Sequence, residues 1–122
     1  MHKPTVGPVE GPPPTDLVIE DITVGTGPEI EPGRWAEVHY VGVSFDTGEE
    51  FDSSWDRGTP FGFQVGRGRV IEGWDRGVLG MRVGGRRRLI VPPHLGYGRR
   101  GAGNRIKPNA TLVFVVDLVS MM

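Results

Sequence analysis

Ile71-Glu72-Gly73-Trp74-Asp75-Arg76-Gly77-Val78 is the stretch on which the architecture turns. Ile71, Trp74 and Val78 stand at i, i+3 and i+7, the spacing of one helical face. Glu72 and Asp75 sit near its start, where the helix dipole favours negative charge. Gly77 and Gly80 are poor helix formers and limit the helix to about two turns. Everything around it reads as strand. Leu112, Phe114, Val116 and Leu118 form the clearest alternation in the chain. Ala36, Val38 and Tyr40 share one face, with Glu37 and His39 on the other. Leu17–Val24 alternates imperfectly, Phe61, Phe63 and Val65 fall on one side of a short strand, and Leu89–Val91 is apolar. Asp46-Thr47-Gly48-Glu49 is a turn sequence. The expected fold is α+β, an antiparallel sheet whose apolar face is covered by one short helix.

Composition agrees. A chain of 122 residues has the size of one domain. Its 20 glycines and 11 prolines suit short strands joined by turns and argue against a helical bundle. Residues 1–15, Pro/Gly-rich and without apolar periodicity, are expected to form a flexible leader, and residues 16–122 the domain. The absence of cysteine excludes disulfides, thiolate nucleophiles and Cys-based metal sites. The three histidines match no metal-ligand spacing. No apolar run reaches the roughly 18 residues of a membrane span, and the first residues lack a signal-peptide core. The expectation is a soluble cytoplasmic protein without a membrane partner. Residues 1–60 hold 12 acidic and 3 basic side chains, residues 61–122 hold 3 and 11. Such asymmetry marks either a binding face or two halves that neutralise each other on packing.

The motifs of conventional catalysis fail. Gly66-Arg67-Gly68-Arg69-Val70-Ile71 lacks the third glycine and the βαβ setting of a dinucleotide loop. No Gly-x-Ser-x-Gly elbow exists, and Ser53-Ser54 has no histidine at a telling spacing. Asp52 with Asp56, or Glu49 with Glu50, reads more simply as acidic turn residues than as an acid/base pair.

What remains is a set of aromatics in ordered contexts: VHYVG (38–42), EFDSSxDRGxPF (50–61), VGxGxVIEGWDxGV (65–78), GYG (96–98) and ATLVFxVxL (110–118). In this order and spacing they closely resemble the FKBP family of prolyl isomerases, immunophilins that bind macrolides such as rapamycin, over about Asp16 to Ser120. The resemblance implies a curved five- or six-stranded antiparallel sheet wrapped around the short helix. It implies a monomeric peptidyl-prolyl cis–trans isomerase acting on proline-containing polypeptides, with macrolides as inhibitors and with neither metal nor cofactor. The catalytic positions it implies are Tyr40, Phe51, Asp52, Tyr97 and Phe114. The substrate-binding positions are Arg57, Phe61, Val70, Ile71, Trp74 and Ile106. Trp74 becomes the pocket floor, whereas without the family its stripe reads as plain core.

Such a pocket suits the chemistry. An X–Pro amide resists rotation by roughly 18–20 kcal/mol because twisting destroys resonance. The twisted amide has lost much of its charge separation, so an apolar pocket favours it over the planar ground state. By resemblance, the Ile71 N–H and the Tyr97 hydroxyl grip substrate carbonyls, and Asp52 orients polar groups with Arg57 and Tyr40.

The loop 99–108 departs most from the family. Ala102 stands where a histidine is frequent, and Arg105 and Lys107 where an apolar residue and a proline are frequent. Four basic residues, Arg99, Arg100, Arg105 and Lys107, are therefore expected along one wall of the pocket, with Arg67 and Arg69 nearby, steering acidic substrates or forming a solvated loop. Arg86-Arg87-Arg88 is expected at a solvated sheet edge, with alternate arginines on opposite faces. Two other functions compete: a proline-peptide binding module without turnover, and a basic-rim interaction module. The overall acidic balance and the lack of exposed stacking aromatics argue against nucleic acid.

Overall fold

Alternating strands with one apolar face need a partner layer, and the helix of residues 72–77 supplies it. The computed structural model describes residues 2–7 and 9–122. In chain order these hold β1 (Val18–Thr23), β2 (Trp35–Ser44), β3 (Glu50–Ser53), α1 (Ser54–Arg57), β4 (Phe61–Gln64), α2 (Glu72–Gly77), β5 (Arg86–Val91), a 3-10 turn (Pro93–Leu95) and β6 (Leu112–Met121). All strand pairings are antiparallel. The six strands run in the order β1-β5-β6-β2-β3, with β4 also pairing β2. The long β2 carries β4 against Trp35–Val38 and β3 against Val41–Val43. The sheet and covering helix are those expected; α1, a single turn, is an addition that no periodicity announced.

One face of the sheet packs on α2. Ala36, Val38, Leu89, Val116 and Leu118 are buried there with Trp74, Val78 and Met81. The helix lies close because it carries glycine where it meets β5. A Cβ on Gly73 would lie 2.6 Å from Val91 Cγ1, and one on Gly77 2.7 Å from a Leu89 methyl. Those glycines cost helix propensity, and what they permit is contact between helix backbone and sheet.

The opposite face carries a second cluster, Val41, Val43, Phe45, Ile90 and Val113, against which Val6, Val9, Val18 and Trp55 pack. The described residues of the leading segment form neither helix nor strand. Lys3 Nζ lies 3.0 Å from Glu50 and 2.9 Å from Asp56, and Arg86 donates to the His2 carbonyl at 2.8 Å.

The arginine triplet corrects one expectation. Its residues do alternate in direction, but β5 lies between β1 and β6 and is no edge. Arg86 grips the fully buried Asp117 through two nitrogens, at 2.6 and 3.2 Å. Arg88 pairs with Glu20 at 2.6 Å. Arg87, only 8% exposed, points towards α2. It donates to the carbonyls of Gly77 and Leu79, both at 2.8 Å, and to Asp21 at 2.8 Å. One side chain thus satisfies orphan carbonyls at the end of α2 and ties the helix to β1. Two ion pairs, Arg87–Asp21 and Arg88–Glu20, join the base-rich and acid-rich halves of the chain across the β1–β5 pair. No helix among the described residues is long and apolar enough to cross a membrane.

Two substitutions test this account. Gly73→Val should force β5 away from α2 and lower stability by about 2 kcal/mol, an overpacking cost. Arg87→Ala strands two buried carbonyls and should cost about 2–4 kcal/mol. Urea unfolding followed by tryptophan fluorescence measures both; a shift under about 0.5 kcal/mol, the range of ordinary surface changes, in either variant contradicts the stated contact.

Candidate active site

Trp74 is the centre from which the site is built. It is 5% exposed, its backbone N–H bonded to the Ile71 carbonyl at 2.9 Å in the first turn of α2. Three rings stand nearly perpendicular to its indole: Tyr40 at 4.8 Å between centroids and 82°, Phe114 at 5.4 Å and 86°, Phe61 at 6.0 Å and 77°. Edge-to-face packing of this kind directs ring edges at a neighbour's face and fixes each ring against rotation. Phe51 meets Phe114 in the same manner at 5.6 Å. The space for those two rings comes from Gly42, opposite Phe114 in the β2–β6 register. A Cβ there would lie 2.7 Å from Phe51 and 2.8 Å from Phe114.

The rings enclose a pocket of about 190 Å³. Phe51, Phe61, Val70, Ile71, Trp74 and Phe114 supply its apolar lining, and Tyr40, Asp52 and Tyr97 its polar groups. Arg57 stands at the rim, donating to Asp52 at 2.6 Å and to the Tyr40 hydroxyl at 2.9 Å. Ile106 is buried in the main core and borders a neighbouring cleft of about 200 Å³ beyond Phe51. The basic 99–107 loop does not form the wall expected of it. Arg105 and Lys107 border that neighbouring cleft, facing Asp46 and Glu49, while Arg99 and Arg100 are exposed outside both. The cause is local: mutual backbone hydrogen bonds between Ala102 and Ile106 fold the loop back on itself.

Arg69, expected only beside the basic wall, lines the pocket itself. Its neighbours explain its position. The Asp75 carboxylate of α2 accepts the backbone N–H groups of Gly66 and Gly68, at 2.8 and 2.9 Å. The glycine-rich turn is thus anchored by the chain's own acid, which leaves Arg69 and Val70 at the pocket mouth. Ile71 caps α2, and its N–H makes no hydrogen bond with the described residues, as the start of a helix leads one to expect.

The polar groups form a closed network. Asp52 accepts from the Tyr40 hydroxyl at 2.5 Å, from Arg57, and from the Ser53 N–H at 2.9 Å. Burial alone raises the pKa of Asp52, but the hydrogen bonds from Tyr40 and Arg57 outweigh it and hold the carboxyl below its ordinary value. Tyr40 is pushed up to about 12, by burial first and then by its bond to Asp52. Tyr97 is likewise raised, by burial and then by the Asp52 charge. Near neutrality both hydroxyls are intact donors beside a carboxylate already committed to its neighbours.

Ser54 and His39, far apart in sequence, meet with His39 Nδ1 2.8 Å from the Ser54 hydroxyl. They make no nucleophile. Ser54 is wholly buried and accepts the Tyr40 N–H at 2.7 Å, so it anchors β2 beneath the site.

Residues 27–119 match the model of a family described as FKBP-type peptidyl-prolyl cis-trans isomerase. The chain belongs to that family. Among curated relatives of this FKBP-type isomerase is the FK506-binding protein of Streptomyces anulatus, 59% identical over 99% of this chain and 98% of the relative. Another is the FK506-binding protein of Neisseria meningitidis, 48% identical over 86% of this chain and 95% of the relative. Among solved structures, AtFKBP13 is 39% identical with a TM-score of 0.82, covering 89% of this chain and 95% of the other. A peptidyl-prolyl cis-trans isomerase of Pseudomonas syringae is 35% identical with a TM-score of 0.76, over 86% and 74% of the two chains.

The network fixes the expected pH profile of this isomerase. Asp52 has a depressed folded-state pKa, so its contribution to stability is complete above its unfolded value of about 3.9 and is lost as pH falls through the lower folded value. Tyr40 has a raised one; its contribution is complete below about pH 10 and is lost as pH rises through about 12. Isomerisation per folded molecule should therefore be flat from about pH 5 to about pH 9. A step near pH 6–7, the range of histidine, contradicts this assignment of titrating groups.

Proposed function

We propose that the Trp74 pocket rotates X–Pro bonds by desolvation and by hydrogen bonding to the flanking carbonyls. The observation that carries this is the ring cage over an indole floor, opening beside the Ile71 N–H. The pyrrolidine ring rests on Trp74 between Phe61 and Phe114, and Val70 and Ile71 complete the dry lining. The Ile71 N–H donates to one substrate carbonyl. The Tyr97 hydroxyl, on a tight turn closed by Gly98 N–H to Pro93 carbonyl at 2.9 Å, donates to another.

The energy required is modest. Uncatalysed exchange takes tens of seconds, so millisecond turnover asks for about four decades, or roughly 5–6 kcal/mol. Loss of amide resonance in the twisted state removes charge separation that water, and not this pocket, stabilises. No covalent intermediate or proton transfer is called for. Asp52, tied to Tyr40, Arg57 and the Ser53 N–H, acts by holding the Tyr40 ring and the rim in place.

The same pocket is proposed to take FK506-class macrolides, the ligand in the names of the bacterial relatives. An apolar ring of the macrolide occupies the proline position on Trp74, and Ile71 and Tyr97 donate to its carbonyls.

A protease-free isomerisation assay on a proline tetrapeptide tests the reading. Wild type should accelerate exchange and be inhibited by FK506 and rapamycin. Tyr97→Phe should lower kcat/KM by about five- to tenfold, the worth of one hydrogen bond. Trp74→Leu and Phe114→Ala should weaken macrolide binding. Absence of any acceleration by the folded wild type overturns the catalytic reading.

A further inference from the structure

The proline pocket does not end at Phe61. Phe61 is 38% exposed, and beyond it Trp35 is 42% exposed. Together with Gly62, Phe63, Gln64 and Arg69, Trp35 and Phe61 line an open groove of about 300 Å³. Phe61 and Arg69 belong to both the groove and the pocket. The two are therefore one surface, and a chain leaving the proline site over Phe61 enters the groove.

The groove is built, not incidental. Trp35 lies flat over the backbone of β4 because residue 62 is glycine; a Cβ there would be 2.6 Å from the indole. The Trp35 backbone is clamped to Met122 in both directions, its N–H donating at 3.2 Å and its carbonyl accepting at 2.9 Å. Gln64 is tied to the Gly33 carbonyl at 3.1 Å. With its backbone already fixed, Trp35 has only side-chain freedom to lose when a ligand covers its indole. All four β4 residues line the groove, and β4 pairs with β2 alone, so its other edge can receive an extended chain. Arg69, at the junction, is exposed and makes no ion pair or side-chain hydrogen bond with the described residues.

We propose that this groove is an extended substrate subsite. It takes an aromatic side chain of the same proline-containing polypeptide, about two or three residues from the proline at ~3.3 Å per residue. A carboxylate between that aromatic and the X–Pro pair faces Arg69. The occupant is set by continuity with the proline pocket, by the aromatic platform of Trp35 and by the uncommitted guanidinium. This subsite rests on the isomerase reading of the pocket and adds to it a sequence preference outside the X–Pro pair.

The experiment compares a proline tetrapeptide, a longer peptide with Asp and Phe in the stated positions, and the same longer peptide with both replaced by Ala. The pair of long peptides is made with the extension on either side of the proline. Both kcat/KM and, by calorimetry, Kd are measured. For one placement, wild type should favour the Asp/Phe peptide about tenfold, equivalent to about 1.4 kcal/mol. Trp35→Ala should abolish that ratio while leaving the tetrapeptide rate unchanged, and Trp35→Phe should retain most of it. Replacing the peptide's Asp by Lys should cut the ratio at low salt. A ratio near one in wild type for both placements, or a ratio that survives Trp35→Ala, overturns the subsite. A wild type that leaves all peptides unaccelerated yet binds the Asp/Phe peptide in a Trp35-dependent way sinks the catalytic reading and keeps the subsite.

Discussion

The close seating of α2 on β5 is the constraint from which the rest of the molecule follows. Six helical residues cannot be stable alone; they persist because Gly73 and Gly77 let the helix backbone touch the sheet and Arg87 fastens its C-terminal end. That contact sets the height of Trp74 above the strands. Were the helix displaced outward by a methyl group's width, the indole would no longer meet Tyr40 and Phe114 edge-on. The pocket floor is therefore a consequence of helix–sheet distance, and residues that never touch a ligand decide it.

A second layer of design lies in what the polar groups are prevented from doing. Asp52, the one acid in the pocket lining among the described residues, has its oxygens occupied by Tyr40, Arg57 and the Ser53 N–H. Asp75 is spent on the turn that precedes the helix, and Asp117 on Arg86. Ser54 and His39 approach within hydrogen-bonding distance, but Ser54 is wholly buried and spent on the Tyr40 N–H. Each group that resembles catalytic machinery in isolation is consumed by structure. What stays available at the pocket mouth is the Ile71 N–H, the Tyr97 hydroxyl, the Arg69 guanidinium and a largely apolar cage, which suits a reaction needing rotation and no bond making. The groove past Phe61 extends that logic, since Trp35 is exposed yet seated on Gly62 and Arg69 is charged yet uncommitted.

How much of this was legible beforehand differs by kind of feature. The alternation of Leu112, Phe114, Val116 and Leu118 and the i, i+3, i+7 spacing of Ile71, Trp74 and Val78 are local periodicities, and they correspond to β6 and to the face of α2. The single turn of α1 is too short to have a period. Arg86–Arg88 read correctly as alternating, but which strands flank β5 is a matter of topology, and so their solvation was misjudged. The motif order pointed to the family and to most of the pocket lining. Arg69 was expected beside the basic loop, but its place in the lining depends on Asp75 holding the turn at Gly66. The 99–107 loop was misplaced because its own Ala102–Ile106 pairing turns its basic side chains away from the pocket.

By itself, then, the sequence determined the helix that carries Trp74, the strands around it and the family to which the chain belongs, because each is encoded by residues near one another or by motifs in a set order. Only the tertiary structure decided which rings meet at right angles, that Gly42 and Gly62 are clearings for neighbouring aromatics, and that Trp35 continues the surface begun at Trp74. Those are distances between segments far apart in the chain, and no local pattern of side chains records them.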